Sequence, residues 1–555
     1  MGDVTGRVAL LGPPLWRRRD AGFAGSQTAQ AGWTRALLTA DGPAGIDFFV
    51  PGDWIDRSRR WLRDCEATGC IQTEARVFPV WHLPARLRTG EYAVLHDVRN
   101  ADRFGWLCDL RTACGASGTA VTAVDYAVGS AASIRACVAT ALSSASRSKD
   151  AIICLSEAAA GARRACLSHA GAVLAARFPG LRPAMPALPV IPFGVDTEWF
   201  RPGSRSAARR RVGLVGRGQV LLHVARFAPD KADWAALFRL LRQVLEAAHP
   251  VHLVLAGGSS REDLLGLDRL RRLFGCARHC SLRPNVDAEL LPDYYRAADV
   301  VLAFSHSPYE TEGLSILEAM ACGVPVVASD WSGFRELVRD GETGFLAPTA
   351  VRAGPSDLDW EGYLDVGGDR SWERSCADSV AVDVGAAAAG VRRLLADAAL
   401  AMRMGGCGRE RATGAYGVER TRAAYVEAWT ELAAAAAPRK AEGDVLWPPF
   451  GALFSGFGTR PVTSEARAPR WLDGPAAPSV GLRELAAVTR TPVPLDRLSR
   501  VAAGLQEHSV GPPSGSADWD LHSILWLAKH GWCVFLGRDQ GQHRESWGAP
   551  TGPEA

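Results

Sequence analysis

The 555-residue sequence predicts an α/β protein of two doubly wound, Rossmann-like domains facing each other across a cleft, with a smaller C-terminal extension. Three observations carry that prediction. The chain is too long for one compact core. Apolar runs of strand length alternate with segments of helical periodicity, the pattern of a parallel sheet covered on both faces. A stretch with four prolines in twelve residues, "FPGLRPAMPALP" at 178–189, separates two such halves and reads as a linker.

In the first half, 1–189, strands are expected at "RVALLG" (7–12), "IDFFV" (46–50), "YAVLHD" (92–97), "TAVTAV" (119–124) and "AIICLS" (151–156), with helices at 26–40 and 131–145. The second half, 190–436, alternates more cleanly. "VLLHVA" (220–225), "VHLVLAGG" (251–258), "DVVLAFS" (299–305) and "VPVVAS" (324–329) read as strands, with helices over 233–249, 261–274, 287–298 and 314–322. A polar insertion covers 350–377, and helices resume from 378 to 436. Residues 437–555 form an extension of weak pattern. There "LHSILWLAKHGWCVFLG" (521–537) reads as a helix and a strand of a small helical or winged-helix-like module. Ligands of doubly wound sheets bind at the carboxyl ends of the strands, which here line the cleft.

Composition narrows the function. Hydrophobic residues at 47%, charged residues at 22% and a net charge of +3 describe a soluble globular protein with no bias toward nucleic acid. No apolar run approaches the ~20 residues needed to cross a bilayer, so no transmembrane segment is expected; peripheral membrane contact stays open. The short apolar run before the prolines and "RRRD" near the N-terminus is no secretory leader, and a cytoplasmic location is expected. The 13 cysteines include Cys65 with Cys70, and Cys276 with Cys280 around His279. Neither group has a second ligand pair at zinc spacing, so free buried thiols are expected.

The chemistry concentrates in "YETEGLSILEAMACGVPVVASD" (309–330). Leu314, Leu317 and Ala321 share one helical face, while Ser315, Glu318 and Cys322 share the other. Gly323 suits the helix C-cap and Pro325 stops the helix. Gly313 opens it, where free N–H groups and the helix dipole make an anion site. Glu310 lies just before the helix, at the mouth of the cleft. Taken by itself the helix also allows Glu318 as a solvated acid and Glu310 as an ordinary loop acid. Upstream, "HVARFAPDK" (223–231) adds Arg226 and Lys231 after a strand. One helix end, two cations and two acids at the strand ends of one sheet can hold a diphosphate and a sugar.

At these motifs the sequence resembles a known family. "VIPFGVDTEWFRP" (190–202), "HVARFAPDK", "YYRAADVVLAFSHSPYETEGLSILEAMACGVPVVASD" (294–330) and "SGFRELVRDGETGFLAP" (332–348) look like the retaining family 4 glycosyltransferases, the group 1 glycosyl transferases of GT-B fold. The resemblance implies a nucleoside-diphosphate sugar as donor substrate and neither a metal nor another cofactor. It implies that Glu318 hydrogen-bonds the donor ribose, that Gly313, Leu314 and Ser315 offer N–H groups to the distal phosphate, and that Arg226 and Lys231 neutralise the diphosphate. Glu310 would contact the donor sugar. Base recognition falls near "LRPNV" (282–286). Gly22 and Gly25 in "GFAGSQ" resemble the glycine-rich turn that admits donor phosphates.

The sequence also departs from the family. Where many relatives carry an acceptor-side histidine after the fourth strand, this chain has Asp125. His96 is a substitute, with a satisfied cleft histidine as the simpler reading. Thr311 and Glu312 stand where relatives have Gly and Phe, and Glu312 is expected to add negative charge beside the phosphate site. Arg17, Arg18 and Arg19 read as a solvated basic loop or as an attraction for an acidic acceptor. The Asp-x-Asp pairs Asp357–Asp359 and Asp518–Asp520 lie far from the motifs and are not expected to bind metal.

The reading that follows is a cytoplasmic, retaining glycosyltransferase of carbohydrate biosynthesis, acting on an unspecified glycan, lipid, protein or small-molecule acceptor. A pyridoxal phosphate-dependent phosphorylase needs a Schiff-base lysine. Of the four lysines, Lys149, Lys231, Lys440 and Lys529, just Lys231 lies near the site, already assigned to phosphate. A nucleotide-sugar epimerase and a non-catalytic nucleotide-sugar-binding or scaffold protein of the same fold are the alternatives.

Overall fold

The computed structural model describes residues 6–13, 25–39, 43–67, 69, 71–143, 149–246, 250–351 and 371–435, with isolated residues beyond. Two six-stranded sheets dominate. The first contains Arg7–Leu11 (β1), Gly45–Val50 (β2), Ala75–Pro79 (β3), Tyr92–Asp97 (β4), Ala120–Asp125 (β5) and Ala151–Cys154 (β6), in the order β3-β2-β1-β4-β5-β6. The second contains Gln219–Val224 (β7), Val251–Gly257 (β8), Cys280–Pro284 (β9), Val300–Ala303 (β10), Val326–Ser329 (β11) and Gly344–Ala347 (β12), in the order β12-β11-β10-β7-β8-β9. All pairings within these two sheets are parallel. The same topology occurs twice, with the strand order reversing beside β1 and beside β7, where doubly wound folds bind ligands.

Burial explains why the central strands read as continuous apolar runs. Val220, Leu222 and Val254 pack on one face of the second sheet with Ile316 and Leu317. Leu221, Leu253 and Leu255 pack on the other with Leu237, Leu241 and Val391. Successive residues point to opposite faces, and both faces are covered. The strands absent from the sequence reading, β3, β9 and β12, are edges. They are half-buried and carry Arg76, Pro79, Arg283, Pro284 or Gly344, which suit an edge and blur the strand pattern.

The proline-rich stretch ends as part of the first sheet's margin. Ile152 N–H donates to Ala187 O, Cys154 N–H to Pro189 O and Ile191 N–H to Cys154 O, each at 2.9 Å. The chain then crosses to the second sheet and later returns beside itself. Val195 N–H donates to Tyr416 O at 2.8 Å, and Val418 N–H to Val195 O at 3.1 Å. The helix Val418–Ala434 that follows packs on the first sheet, a placement that its sequence position in the second half does not suggest. Its Tyr425 and Trp429 rings lie 4.9 and 6.0 Å from Trp33.

The helix Ser371–Asp378 and the antiparallel pair Thr349–Val351 with Val380–Val382 flank the predicted polar insertion; residues 352–370 lie outside the described residues. Pro51–Ile55 and Trp447–Ala555 form a separate unit, whose described residues include the pair Arg470–Trp471 with Cys533–Val534. The rest of the expected winged-helix-like module lies outside the described residues. No helix among the described residues is long and apolar enough to cross a membrane.

Candidate donor-sugar site

The site begins where β7 ends. The loop after it runs against the end of β8, with Ala225 N–H bonded to Ala256 O at 3.0 Å and Phe227 N–H to Gly258 O at 2.8 Å. Gly257, at φ +155°, permits this approach, since a Cβ there would lie 1.9 Å from Ala225 O. The loop carries Arg226 and Lys231. Arg226 is partly exposed, but its Nε is buried and donates to no acceptor among the described residues. A guanidinium left in that state is a ready partner for an anion.

A second loop, after β10, supplies Glu310. Ser329 Oγ donates to Ser305 O at 2.9 Å, Ser307 N–H to Ser305 Oγ at 3.2 Å, and Glu310 N–H to Ser307 O at 3.1 Å. The Ser305 hydroxyl also donates to Lys231 O at 3.4 Å, tying the two loops together. The Lys231 ammonium and the Glu310 carboxylate consequently stand 4.0 Å apart, both partly buried.

The helix Leu314–Ala321 follows at once. Its N-cap Gly313 has φ +122°, and a Cβ there would meet the Phe334 ring at 2.7 Å, so only glycine allows this turn. Ile316 N–H bonds to Gly313 O at 2.9 Å, the N–H groups ahead of it have no partner inside the helix, and this end carries about half a positive charge. Leu314 and Ser315 are partly exposed there. One turn further, Glu318 is 4% exposed and accepts a 2.6 Å hydrogen bond from the Tyr295 hydroxyl. Burial and the Glu318 charge push the Tyr295 phenol well above its ordinary pKa, so it stays a donor. The solvated-acid alternative for Glu318 is corrected: with Cys322 also buried, the helix's polar face opens to solvent at Ser315.

Glu312 is the second correction. It is 5% exposed, and its Oε1 has no hydrogen-bond partner among the described residues. Burial, then the neighbouring Glu310 charge, raises its pKa well above 4.5, against a hydrogen bond from the Phe193 N–H. Burial thus works against the negative charge expected beside the phosphate site. The same loop meets the first domain, where Thr311 Oγ1 donates to Tyr126 O at 3.3 Å. Glu336 adds a second bridge, accepting from the Glu157 and Ala158 N–H groups at 2.9 and 3.0 Å.

On the acceptor side Asp125 and His96 are both enclosed by packing, His96 in line with the simpler reading. Asp125 is fully buried in a bidentate pair with Arg163, at 2.7 and 2.9 Å. His96 is 1% exposed, lies 2.9 Å from Thr122 Oγ1, and is ringed by Trp33, Tyr425 and Trp429. Both hold the fold together. Gly25 is the first residue of the helix Gly25–Thr39, which approaches the helix Leu314–Ala321. Gly22, Arg17 to Arg19 and both Asp-x-Asp pairs lie outside the described residues. Cys65, Cys276 and Cys280 are all buried, and Cys276 and Cys280 are free thiols.

Known proteins resemble this chain in sequence around these loops and in fold. The sequence profile of the glycosyl transferases group 1 family matches residues 218–354, which include both loops and the helix. A D-inositol 3-phosphate glycosyltransferase of Geodermatophilus obscurus is 39% identical over 214 residues, covering 36% of this chain and 47% of the relative. One from Acidothermus cellulolyticus is 41% identical over 165 residues, covering 28% and 36%. The chain thus spans about half, or less, of the length of these curated relatives. Among solved structures, Anabaena HepE in complex with UDP aligns over 77% of this chain and all of its own, at 17% identity and a TM-score of 0.51. Sucrose-phosphate synthase from Thermosynechococcus elongatus covers 78% at 21% identity and a TM-score of 0.50. At these identities the structures establish the fold alone. Residues 218–354 thus match the group 1 glycosyl transferase family, and they lie within a two-sheet fold of GT-B type.

Proposed function

We propose that the protein is a retaining glycosyltransferase that moves a sugar from a nucleoside-diphosphate sugar to an acceptor hydroxyl, without a metal ion. The observation that carries this reading is the meeting of Lys231 and Glu310, from two different strand-end loops, beside the open end of the helix Leu314–Ala321. In the reaction the bond from the anomeric carbon to the distal phosphate breaks, and a bond to the acceptor oxygen forms on the same face. The acceptor proton passes to the leaving phosphate. Arg226, Lys231 and the N–H groups of Gly313, Leu314 and Ser315 stabilise the charge that the diphosphate gains. Fixed donors of this kind do so without reorganising, and they supply the neutralisation that a metal provides elsewhere. Glu310 holds the sugar hydroxyls, and Glu318, oriented by Tyr295, holds the ribose.

The acceptor lies on the first domain's side of the cleft. Since the curated relatives are named for D-inositol 3-phosphate, that compound is the first acceptor to assay. We place the reaction in the cytoplasm, a compartment that suits the free cysteines.

Calorimetric titration of UDP, GDP and ADP into wild type, Glu318→Ala and Lys231→Ala tests the donor site. One nucleotide is expected to bind wild type and to lose affinity in both variants, with EDTA without effect. Equal affinity in all three proteins contradicts the assignment. Anomeric analysis of the product by NMR then tests retention.

A further inference from the structure

A second cluster of cations lies at the β9 edge of the second sheet. A surface pocket of about 370 Å³ is lined by Arg217, His252, Arg271, Arg278, Ser281 and Arg283, and no carboxylate lines it. Arg217 precedes β7, Arg278 precedes β9 and His252 is the second residue of β8. Ser281 and Arg283 lie within β9, so the pocket runs from the amino ends of these strands along the free edge of the sheet, whereas the donor loops leave from the carboxyl ends of β7 and β10.

Its arginines differ in how they are held. Arg271 is anchored: it donates to Cys280 O at 2.6 Å and to Asp268 at 2.7 Å. Arg217, Arg278 and Arg283 make no ion pair or hydrogen bond among the described residues, and the Arg283 Nε is buried without a partner. A buried guanidinium N–H with no acceptor is costly, and three unpaired guanidinium groups around one cavity repel one another. The local field registers on His252, whose pKa is held at about 4 by burial and by Arg217, His279 and Arg283. His252 stays neutral near pH 7, with its Nε2 2.6 Å from Ser281 Oγ. A doubly charged phosphate group is the ligand class that satisfies this set, because its oxygens accept paired guanidinium hydrogen bonds.

We propose that this pocket is a second anion site, for phosphate groups, distinct from the diphosphate-binding loops of Arg226 and Lys231, in which Arg217, Arg278 and Arg283 supply the binding donors. A phosphate group reaches such a pocket either on a soluble compound or on a lipid headgroup at a membrane surface. Both sources share this chemistry.

The test uses the full-length Arg226→Ala/Lys231→Ala protein, so that the donor cleft contributes little, with and without Arg278→Ala/Arg283→Ala. Pyrophosphate is titrated calorimetrically, and flotation is measured with neutral vesicles and with vesicles containing phosphatidylglycerol. The account expects saturable pyrophosphate binding, or flotation confined to the anionic vesicles, that falls about ten- to a hundredfold without the arginine pair. Pyrophosphate binding alone identifies a soluble ligand, and flotation alone a headgroup. Thermal melting confirms that the variants fold, and Arg278→Lys/Arg283→Lys provides a milder change that keeps the charge. Binding of neither probe, or binding indifferent to the arginine pair, overturns the proposal.

Discussion

Lys231 and Glu310 face each other at 4.0 Å from loops that follow neighbouring parallel strands, β7 and β10. The separation is long for a hydrogen-bonded ion pair, and a partly exposed pair of this kind contributes under about 1 kcal/mol to stability. Its value lies in placing a cation and an acceptor at one cleft. Glu310→Gln is expected to leave the urea midpoint within error of wild type while lowering kcat by about 10²-fold. Steady-state kinetics on both proteins check this.

Tyr295 is a positioning residue. Removing its hydroxyl in Tyr295→Phe leaves the buried Glu318 carboxylate without this donor, at a cost of about 1–3 kcal/mol. Chemical denaturation should show that loss, and KM for the donor should rise more than kcat falls. A purely structural role for the hydroxyl would leave KM unchanged.

Glu312 makes stability depend on pH. Its folded pKa is raised, so its contribution is fully present below the unfolded value near 4.5 and is lost as pH rises toward the folded value. Glu312→Gln removes that charging cost. The variant should match wild type near pH 4 and exceed it in urea midpoint at pH 8. An equal difference at both pH values would contradict the buried, neutral carboxyl.

Buried histidines act in the opposite direction. His96 and His223 have pKa values held at about 3 and about 4, below the ordinary 6.5, because burial disfavours the imidazolium. Their stability contribution is present above pH ~6.5 and falls as acid protonates the unfolded chain first, at up to about 1.4 kcal/mol per unit and residue. His96→Gln should therefore lose more stability relative to wild type at pH 7.5 than at pH 5, as read by urea denaturation.

The aromatic lock between the crossing helix and the first sheet gives a further test of the fold. Trp429 is fully buried against Trp33, His96 and Tyr425. Trp429→Ala should cost about 3–5 kcal/mol, seen as a lower thermal midpoint of the full-length protein.

How far the sequence reveals this molecule depends on burial. Central strands such as β7 and β8 are covered on both faces, so their apolar runs announce them. The edge strand β9, with Arg283 and Pro284, shows no such run. The residues proposed for the donor site stand out in the sequence because a glycine at a helix start, two cations after a strand and two spaced acids each have a chemical reason. Glu312 was visible as a departure but not as a buried acid, because its protonation follows from packing against Phe193 and the first domain. The sequence left the role of His96 and Asp125 open, because Trp429 and Arg163, which enclose them, are remote in sequence.

The central claim is that Lys231, Arg226 and Glu310 serve transfer from a nucleoside-diphosphate sugar. Nucleoside-diphosphate release from a panel of UDP-, GDP- and ADP-sugars, with D-inositol 3-phosphate present and absent, tests it most directly. The account predicts release by wild type from one donor class, unaffected by EDTA, and a loss of about 10²–10³-fold in Lys231→Ala. Unimpaired release by Lys231→Ala, or no donor bound or turned over by wild type, would contradict it.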